Sequence, residues 1–370
     1  MRIAVTREAV PGEARVALVP ELIGKLRGAG YEIVVQSGAG AGALISDEAY
    51  RAAGASINAN PLEGASLVIS VQPLEPEIRD VLRPGTTTLS FFPHPMSSAE
   101  TEARRAGQLT TFGMEYVPRI SRAQSMDALS SQALVAGYRA AVVAAHRLRL
   151  FFPLNMTAAG TVPPAQVLVL GAGVAGLQAI ATCKRLGAVV KGYDVRSAAA
   201  EEIRSMGAIA VDLDLPTLDG AGGYAREMTE ERATRQRELL APYVAAADAV
   251  ITTAAVPGRQ APLLVTGPMV QAMKPGSVVV DLAAESGGNV EGVAPGSVAQ
   301  MQCASGSGTV ALWGGANVPS QMPGPASRLY ASNVANVIML MTRNGGFHPD
   351  FDDEIVAGMC ITHAGKVRGP

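Results

Sequence analysis

The sequence predicts an α/β protein with two parallel-sheet domains, and three observations lead there. Short apolar runs alternate with helix-patterned stretches from the first residues onward. That rhythm halts at an alanine-rich stretch near the middle and then resumes. The resumed series opens with a strand that runs straight into a glycine-rich turn and a helix. Repeated strand–helix–strand units form right-handed crossovers, and therefore parallel sheets.

In the first series, RIAVT (2–6), EIVVQ (32–36), LVISV (67–71) and TTLSFF (87–92) are expected strands, short and apolar. VPELIGKLRGAG (19–30) is the expected helix between the first two, stopped by Gly28 and Gly30. LTTFGMEYV (109–117) has strand character. ALVAGYRAAVVAAHRL (133–148) is an expected long helix, apolar on more than one face, joining the domains. The second series contains VLVL (167–170), VVKGYD (189–194), AVITTA (249–254) and SVVVDLA (277–283). The polar stretch 213–239 interrupts it. RLYASNVANVIMLMTR (328–343) has helical spacing and is expected to return to the first domain. The expected division is 1–132 plus 318–370 for the first domain and 133–317 for the second, with a cleft between them and long helices joining them.

Composition narrows the function. The 370 residues carry a net charge of -2, with 48% hydrophobic and 17% charged residues. Nucleic-acid binding needs clustered positive charge, so it is not expected. Cys183, Cys303 and Cys360 are an odd number at unrelated spacings, which suits a reducing cytoplasm. His94, His146, His348 and His363 form no metal-ligand pattern. The start, MRIAVTREAV, lacks the apolar core of a signal peptide. Arg139, His146 and Arg147 interrupt the most apolar stretch, 134–150, so no membrane span is expected.

VLVLGAGVAG (167–176) is the clearest chemical signal. Gly171, Gly173 and Gly176 form GxGxxG between a strand and a helix, with Ala172, Val174 and Ala175 between them. The first glycine permits the tight turn, the second lets backbone approach a pyrophosphate, and the third lets helix pack on strand. Asp194 ends the next strand, 23 residues beyond Gly171, at the spacing of a ribose-binding acid. The domain is therefore expected to be Rossmann-like and to bind a dinucleotide through this turn, Asp194 and Val195. A carboxylate accepts from ribose hydroxyls and repels a 2′-phosphate, so NAD is favoured over NADP. Arg196 complicates that choice, because an arginine accommodates the phosphate. ITTAAVPG (251–258) ends a strand where cofactor lies in such folds, bringing in Thr253 and Ala254; the plain alternative is a strand exit. Tyr224, among glycines, is either a lid or a packing anchor. Arg15 is either an anion ligand or a surface arginine. His94 is either a base or a structural histidine.

RISRAQSMD (119–127) precedes the joining helix and holds polar groups but no histidine or lysine. Arg119, Gln124, Asp127 and Ser130 supply donors and acceptors suited to a carboxamide. Asp127 or Ser130 also suits a helix cap, and both roles can coexist.

RISRAQSMDALSSQ, MTAAGTVPPAQVLVLGAGVAGLQAIATCKRLGA, GGYAREM, VVVDLAAESGGN and NVPS together resemble the NAD(H)-binding component of proton-translocating transhydrogenase. The resemblance runs from REAVPGEARVALVPE to the end. The wider family includes alanine dehydrogenase. The resemblance implies direct hydride transfer between NAD(H) held here and NADP(H) on a partner component. Such transfer needs close, dry, well-oriented rings and no acid or base. It implies that Arg119, Gln124, Asp127 and Ser130 hold or face the nicotinamide and that Tyr224 tips a mobile loop. It further implies a homodimer, an NADP(H)-binding subunit, and a membrane-spanning subunit that carries the proton and holds this cytoplasmic chain at the inner membrane. The rival reading is an alanine dehydrogenase-like amino-acid oxidoreductase. Its lysine would fall where Gln72 stands and its aspartate where Glu285 stands, and both differ. A third reading is an NAD-binding regulatory subunit without activity.

Overall fold

The protein, described from a computed structural model, is defined over residues 1–92, 96–216, 218, 229–255 and 258–369. It divides into two compact units, Met1–Gln132 with Pro319–Pro370, and Ala133–Val318. Both are α/β units built on parallel-dominated sheets.

In the first unit the sheet runs, from edge to edge, Lys366–Val367, Cys360–His363, Thr110–Gly113, Thr87–Ser90, Leu67–Ile69, Arg2–Val5, Glu32–Gln36, Ser56–Asn58. The six strands from the N-terminal stretch are parallel, and Cys360–His363 joins antiparallel to Thr110–Gly113. The direction of winding reverses between Arg2–Val5 and Leu67–Ile69. Ile3, Ala4, Val5, Leu67, Val68 and Ile69 are all nearly inaccessible, as continuous apolar strands are when both sheet faces are covered. Helix Pro20–Gly28 begins with proline at its first turn, as the sequence leads one to expect. Helix Pro323–Leu340 starts earlier than expected, again with proline in its first turn. It seats Tyr330, Val334 and Ile338 in this core, each 0% exposed. The Tyr330 hydroxyl donates to the Ser70 carbonyl at 2.9 Å, so this buried phenol is satisfied.

In the second unit the sheet runs Ile209–Ala210, Val189–Tyr193, Gln166–Leu170, Ala249–Thr252, Val278–Asp281, Thr309–Gly314, Val298–Gln302. Only the last pair is antiparallel. Winding reverses between Gln166–Leu170 and Ala249–Thr252. Side chains alternate between two cores: Val167 and Val169 enter one, Leu168 and Leu170 the other. Each fully buried aliphatic chain contributes about 1.5–3 kcal/mol.

Two expectations need adjustment. The polar stretch 213–239 is not merely an interruption, because helix Glu230–Ala246 begins inside it. That helix covers one sheet face with Leu240 and Val244. The joining helix spans Ala128–Arg147 and starts earlier than expected. Asp127 Oδ1 accepts from the Ser130 N–H at 2.9 Å, capping its first turn.

Candidate functional site

The glycine turn lies at the carboxyl end of strand Gln166–Leu170, beside the point where winding reverses. This is where ligands enter such sheets. Gly171 has φ +100°, a conformation that disfavours any side chain. A Cβ there would come 2.6 Å from Thr253 Oγ1. A Cβ on Gly176 would stand 1.9 Å from the Gly171 carbonyl, so helix and strand meet only because it is absent. At Gly173 a Cβ would meet nothing within 4 Å. That glycine is not required by packing, and its open face fits the close approach of a pyrophosphate. Helix Val174–Arg185 follows, with no side chain capping its start. Its first intrahelical bond is Leu177 N–H to Gly173 O at 2.8 Å. The N–H groups of Val174, Ala175 and Gly176 thus precede the helical ladder and carry its positive end.

Neighbouring strands complete this end of the sheet. Thr253 Oγ1 donates to the Gly171 carbonyl at 3.1 Å. Ala254 is clamped by the Asn289 side chain, which accepts from the Ala254 N–H at 3.0 Å and donates to its carbonyl at 2.8 Å. Asn289 is itself fixed by Asp281, whose Oδ2 accepts from the Asn289 and Val290 N–H groups at 2.8 and 3.1 Å. Asp281 Oδ1 accepts from Thr252 Oγ1 and the Ala283 N–H. Burial raises the Asp281 pKa above the usual carboxylate value despite these four donors. Sequence reasoning assigns a role to neither Asp281 nor Asn289. The available signal is a charge closing the apolar run VVVD.

Asp194 reaches the glycine turn, but its carboxylate is occupied within the chain. Oδ2 accepts from the Ala172 N–H at 2.7 Å, and Oδ1 from Arg196 Nε at 2.9 Å and the Arg196 N–H at 3.0 Å. Arg196 also donates to the Ala172 carbonyl at 3.0 Å. The acid expected to meet ribose is therefore also a strut of the turn, and its partner is the arginine that complicates the cofactor choice. Val195 packs against the core beside it. Tyr224 and His94 lie outside the described residues.

In the first unit, Ser121–Met126 forms a 3₁₀ segment. Ala123 and Met126 are buried beneath it, whereas Arg119 and Gln124 are exposed. Asp127 and Ser130 are half-buried and bonded to each other, Ser130 Oγ donating to Asp127 Oδ2 at 2.5 Å. Arg119, Gln124 and Asp127 thus share one short segment whose apolar side anchors it, and Ser130 stands in the first turn of the helix that follows.

Arg15 is 5% exposed, not a surface arginine. Its Nε and Nη2 donate to the two Glu13 oxygens at 2.8 and 2.6 Å, and Nη1 donates to Gln132 Oε1 at 2.8 Å. Gln72 Nε2 also donates to Glu13, at 2.8 Å. Glu8 accepts from the Val71 and Gln72 N–H groups. Burial lifts the Glu8 pKa to about 7, and that of Glu115 to about 8. Glu285, in the other unit, is exposed and accepts from the Asn317 N–H.

Among the described residues, no cluster of ligands suits a metal ion, and no helix is long and apolar enough to cross a membrane.

Comparison with known proteins places the chain. Models of the alanine dehydrogenase/PNT N-terminal and C-terminal domains match residues 4–136 and 140–370. The chain is 43% identical to the first portion of the NAD(P) transhydrogenase alpha subunit of Rhodospirillum rubrum, over 100% of this chain and 98% of that one. A solved transhydrogenase structure from Sinorhizobium meliloti is 40% identical, covers 100% of this chain and 99% of its own, and superposes with a TM-score of 0.86. An alanine dehydrogenase of Mycolicibacterium smegmatis is 30% identical over 80% of this chain and 76% of its own. With both domain models matched and such relatives spanning its length, the chain belongs to the alanine dehydrogenase/PNT family.

Proposed function

We propose that this chain is the NAD(H)-binding component of a proton-translocating transhydrogenase. It works by direct hydride transfer between NAD(H) held here and NADP(H) on a partner subunit. The observation that carries the reading is the 119–130 loop: Arg119, Gln124, Asp127 and Ser130 gather polar donors and acceptors with no histidine or lysine among them. Bound NAD(H) supplies the carbon that gives or takes the hydride. The chain's residues bind and orient. Gly171 to Gly176, with Ala172, Val174 and Ala175, take the pyrophosphate through backbone N–H groups. Asp194, with Val195 and Arg196 beside it, takes the ribose and disfavours a 2′-phosphate. Thr253 and Ala254 border the cofactor, and Tyr224 closes over it. Arg119 donates to the carboxamide oxygen and Asp127 accepts from its NH₂, with Gln124 and Ser130 completing the set. Positioning alone suits a reaction that moves no proton at the reacting carbons.

The same reading assigns a membrane-spanning partner that moves the proton, a homodimeric state, and a cytoplasmic location at the inner membrane. Gln72 supports it against an amino-acid dehydrogenase. It is a neutral amide bonded to Glu13 at the position where that enzyme's lysine would fall.

The test mixes this chain with an NADP(H)-binding transhydrogenase component, NADPH, and an NAD analogue of shifted absorbance. Rapid reduction that requires both proteins and neither alanine nor pyruvate is the expected result. Alanine-dependent reduction of NAD by this chain alone would replace the reading with a dehydrogenase. NADH binding with no transfer beside any partner would replace it with a regulatory subunit.

A further inference from the structure

Helix Pro323–Leu340 carries two asparagines one turn apart, Asn333 and Asn336, in a half, Ala331–Leu340, that is otherwise apolar apart from Ser332. Asparagine is a poor helix former. A buried amide is also unfavourable unless it is hydrogen-bonded, and Asn333 is 7% exposed. Both side chains reach the same atom. Asn333 Nδ2 donates to the Ser125 carbonyl at 2.9 Å and Asn336 Nδ2 donates to it at 3.0 Å. Lys25 Nζ donates to Asn336 Oδ1 at 2.8 Å, fixing which way that amide faces.

A carbonyl oxygen has two lone pairs, and two donors from one rigid helix fill both. One donor restrains distance and lets the carbonyl swing. Two donors set three residues apart restrain its direction as well. Ser125 immediately follows Gln124 and stands two residues before Asp127. Below the same segment, Ala123 and Met126 are buried, so apolar contacts hold its depth while the amides hold its lateral position.

We infer that Asn333 and Asn336 are positioning residues for hydride transfer, fixing the Ser125 carbonyl and through it the placement of Gln124 and Asp127. This rests on the function proposed above. They touch neither cofactor nor reacting atoms, and they act through the loop.

The test replaces each amide with leucine, which keeps the branching at Cγ and removes the donor: Asn333→Leu, Asn336→Leu and both together. Three quantities are read: hydride transfer with the NADP(H)-binding component, NADH affinity by fluorescence, and backbone hydrogen exchange over residues 121–128. The double variant is expected to transfer roughly 10–100-fold more slowly, because small misplacements of orienting groups are that costly. NADH affinity is expected to stay within about twofold, the mark of an interaction felt only on the way to transfer. Exchange over 121–128 is expected to quicken. Asn336→Gln, which keeps an amide donor, is expected to restore most of the rate. Unchanged exchange and rate in the double variant would overturn the inference. So would NADH affinity and melting temperature falling in step with rate, since that marks a structural role alone. If the unaltered chain transfers no hydride while exchange responds as expected, the functional reading fails and the brace stands.

Discussion

The two candidate regions are built by opposite means. In the second unit the glycine turn is made of backbone: a positive φ at Gly171, a missing Cβ at Gly176, and an open face at Gly173. In the first unit the 121–126 segment is held by side chains drawn from elsewhere, two asparagines on the one Ser125 carbonyl, and a separate buried ion pair, Glu13 with Arg15, reaches Gln132. Backbone sites tolerate little change in residue type at a few positions. Side-chain sites depend on partners scattered along the chain. The contrast teaches where each region is vulnerable.

The largest expected effect lies in the turn. Gly176→Ala forces a Cβ into the Gly171 carbonyl and is expected to cost more than about 4 kcal/mol of stability, with NADH binding lost. Gly173→Ala is expected to leave the melting temperature nearly unchanged and weaken NADH binding at least about tenfold, because only a ligand would meet the new methyl. Equal stability losses in the two variants would erase the distinction between a packing glycine and a ligand glycine.

In the first unit the matching change is Arg15→Met. It leaves the Glu13 carboxylate, whose side chain is fully buried, without its guanidinium, and removes the donor to Gln132. Breaking a buried pair of this kind costs about 3–5 kcal/mol. Chemical denaturation would measure it, and a loss under about 1 kcal/mol would show that Arg15 is not the counter-charge of this core.

Buried acids make the first unit pH-sensitive. Glu115 accepts from the Phe92 N–H at 3.0 Å, while its Oε1 is buried without a partner among the described residues. Burial raises its pKa from 4.5 to about 8. Folding therefore takes up a proton between those values. The stability is full below about pH 4.5 and is lost progressively as pH rises through about 8. Glu115→Gln is expected to relieve about 1–3 kcal/mol of destabilisation at pH 9 and little at pH 5. Melting curves at the two pH values check this, and identical pH slopes in parent and variant would refute it.

The smallest effect is a change of preference. Asp194→Ala removes the acid and leaves Arg196 without that ion pair. NADH affinity is expected to fall about tenfold, or about 1.4 kcal/mol, and the preference for NADH over NADPH to narrow. Titration with both nucleotides measures it, and unchanged NADH affinity would take Asp194 out of the ribose site.

This difference in construction also governs what is legible in the sequence. The strands 2–6, 32–36 and 167–170 are legible because their central residues form unbroken apolar runs, and burial on both faces demands that. Gly171, Gly173 and Gly176 are legible because steric conflict admits one residue type. Helix Glu230–Ala246 is hidden. It buries only Gln236, Leu240 and Val244, a stripe too narrow to stand out from its charges. The side-chain contacts of the first unit are hidden for another reason. Arg15 and Gln132 are 117 residues apart, and Asn333 and Ser125 are 208 apart. No local spacing announces such pairs, and asparagine in a helix looks like a surface residue until its partner is seen. Asp281 and Asn289 sit only 8 residues apart, but the role of that pair emerges only when Ala254 is found between the Asn289 donors and acceptor.

The first unit is assembled from two separated stretches, with Pro319–Pro370 completing what Met1–Gln132 begins. That arrangement sets an order of events at the ribosome. Strands 2–69 emerge early with no Tyr330, Val334 or Ile338 to cover them. The second unit, contiguous in the chain, is synthesised whole in the interval and is free to fold first. What is made first is finished last. For most of synthesis the N-terminal sheet is a nascent surface awaiting helix Pro323–Leu340, and it is there that a chaperone would be needed and that a stalled or truncated chain would aggregate.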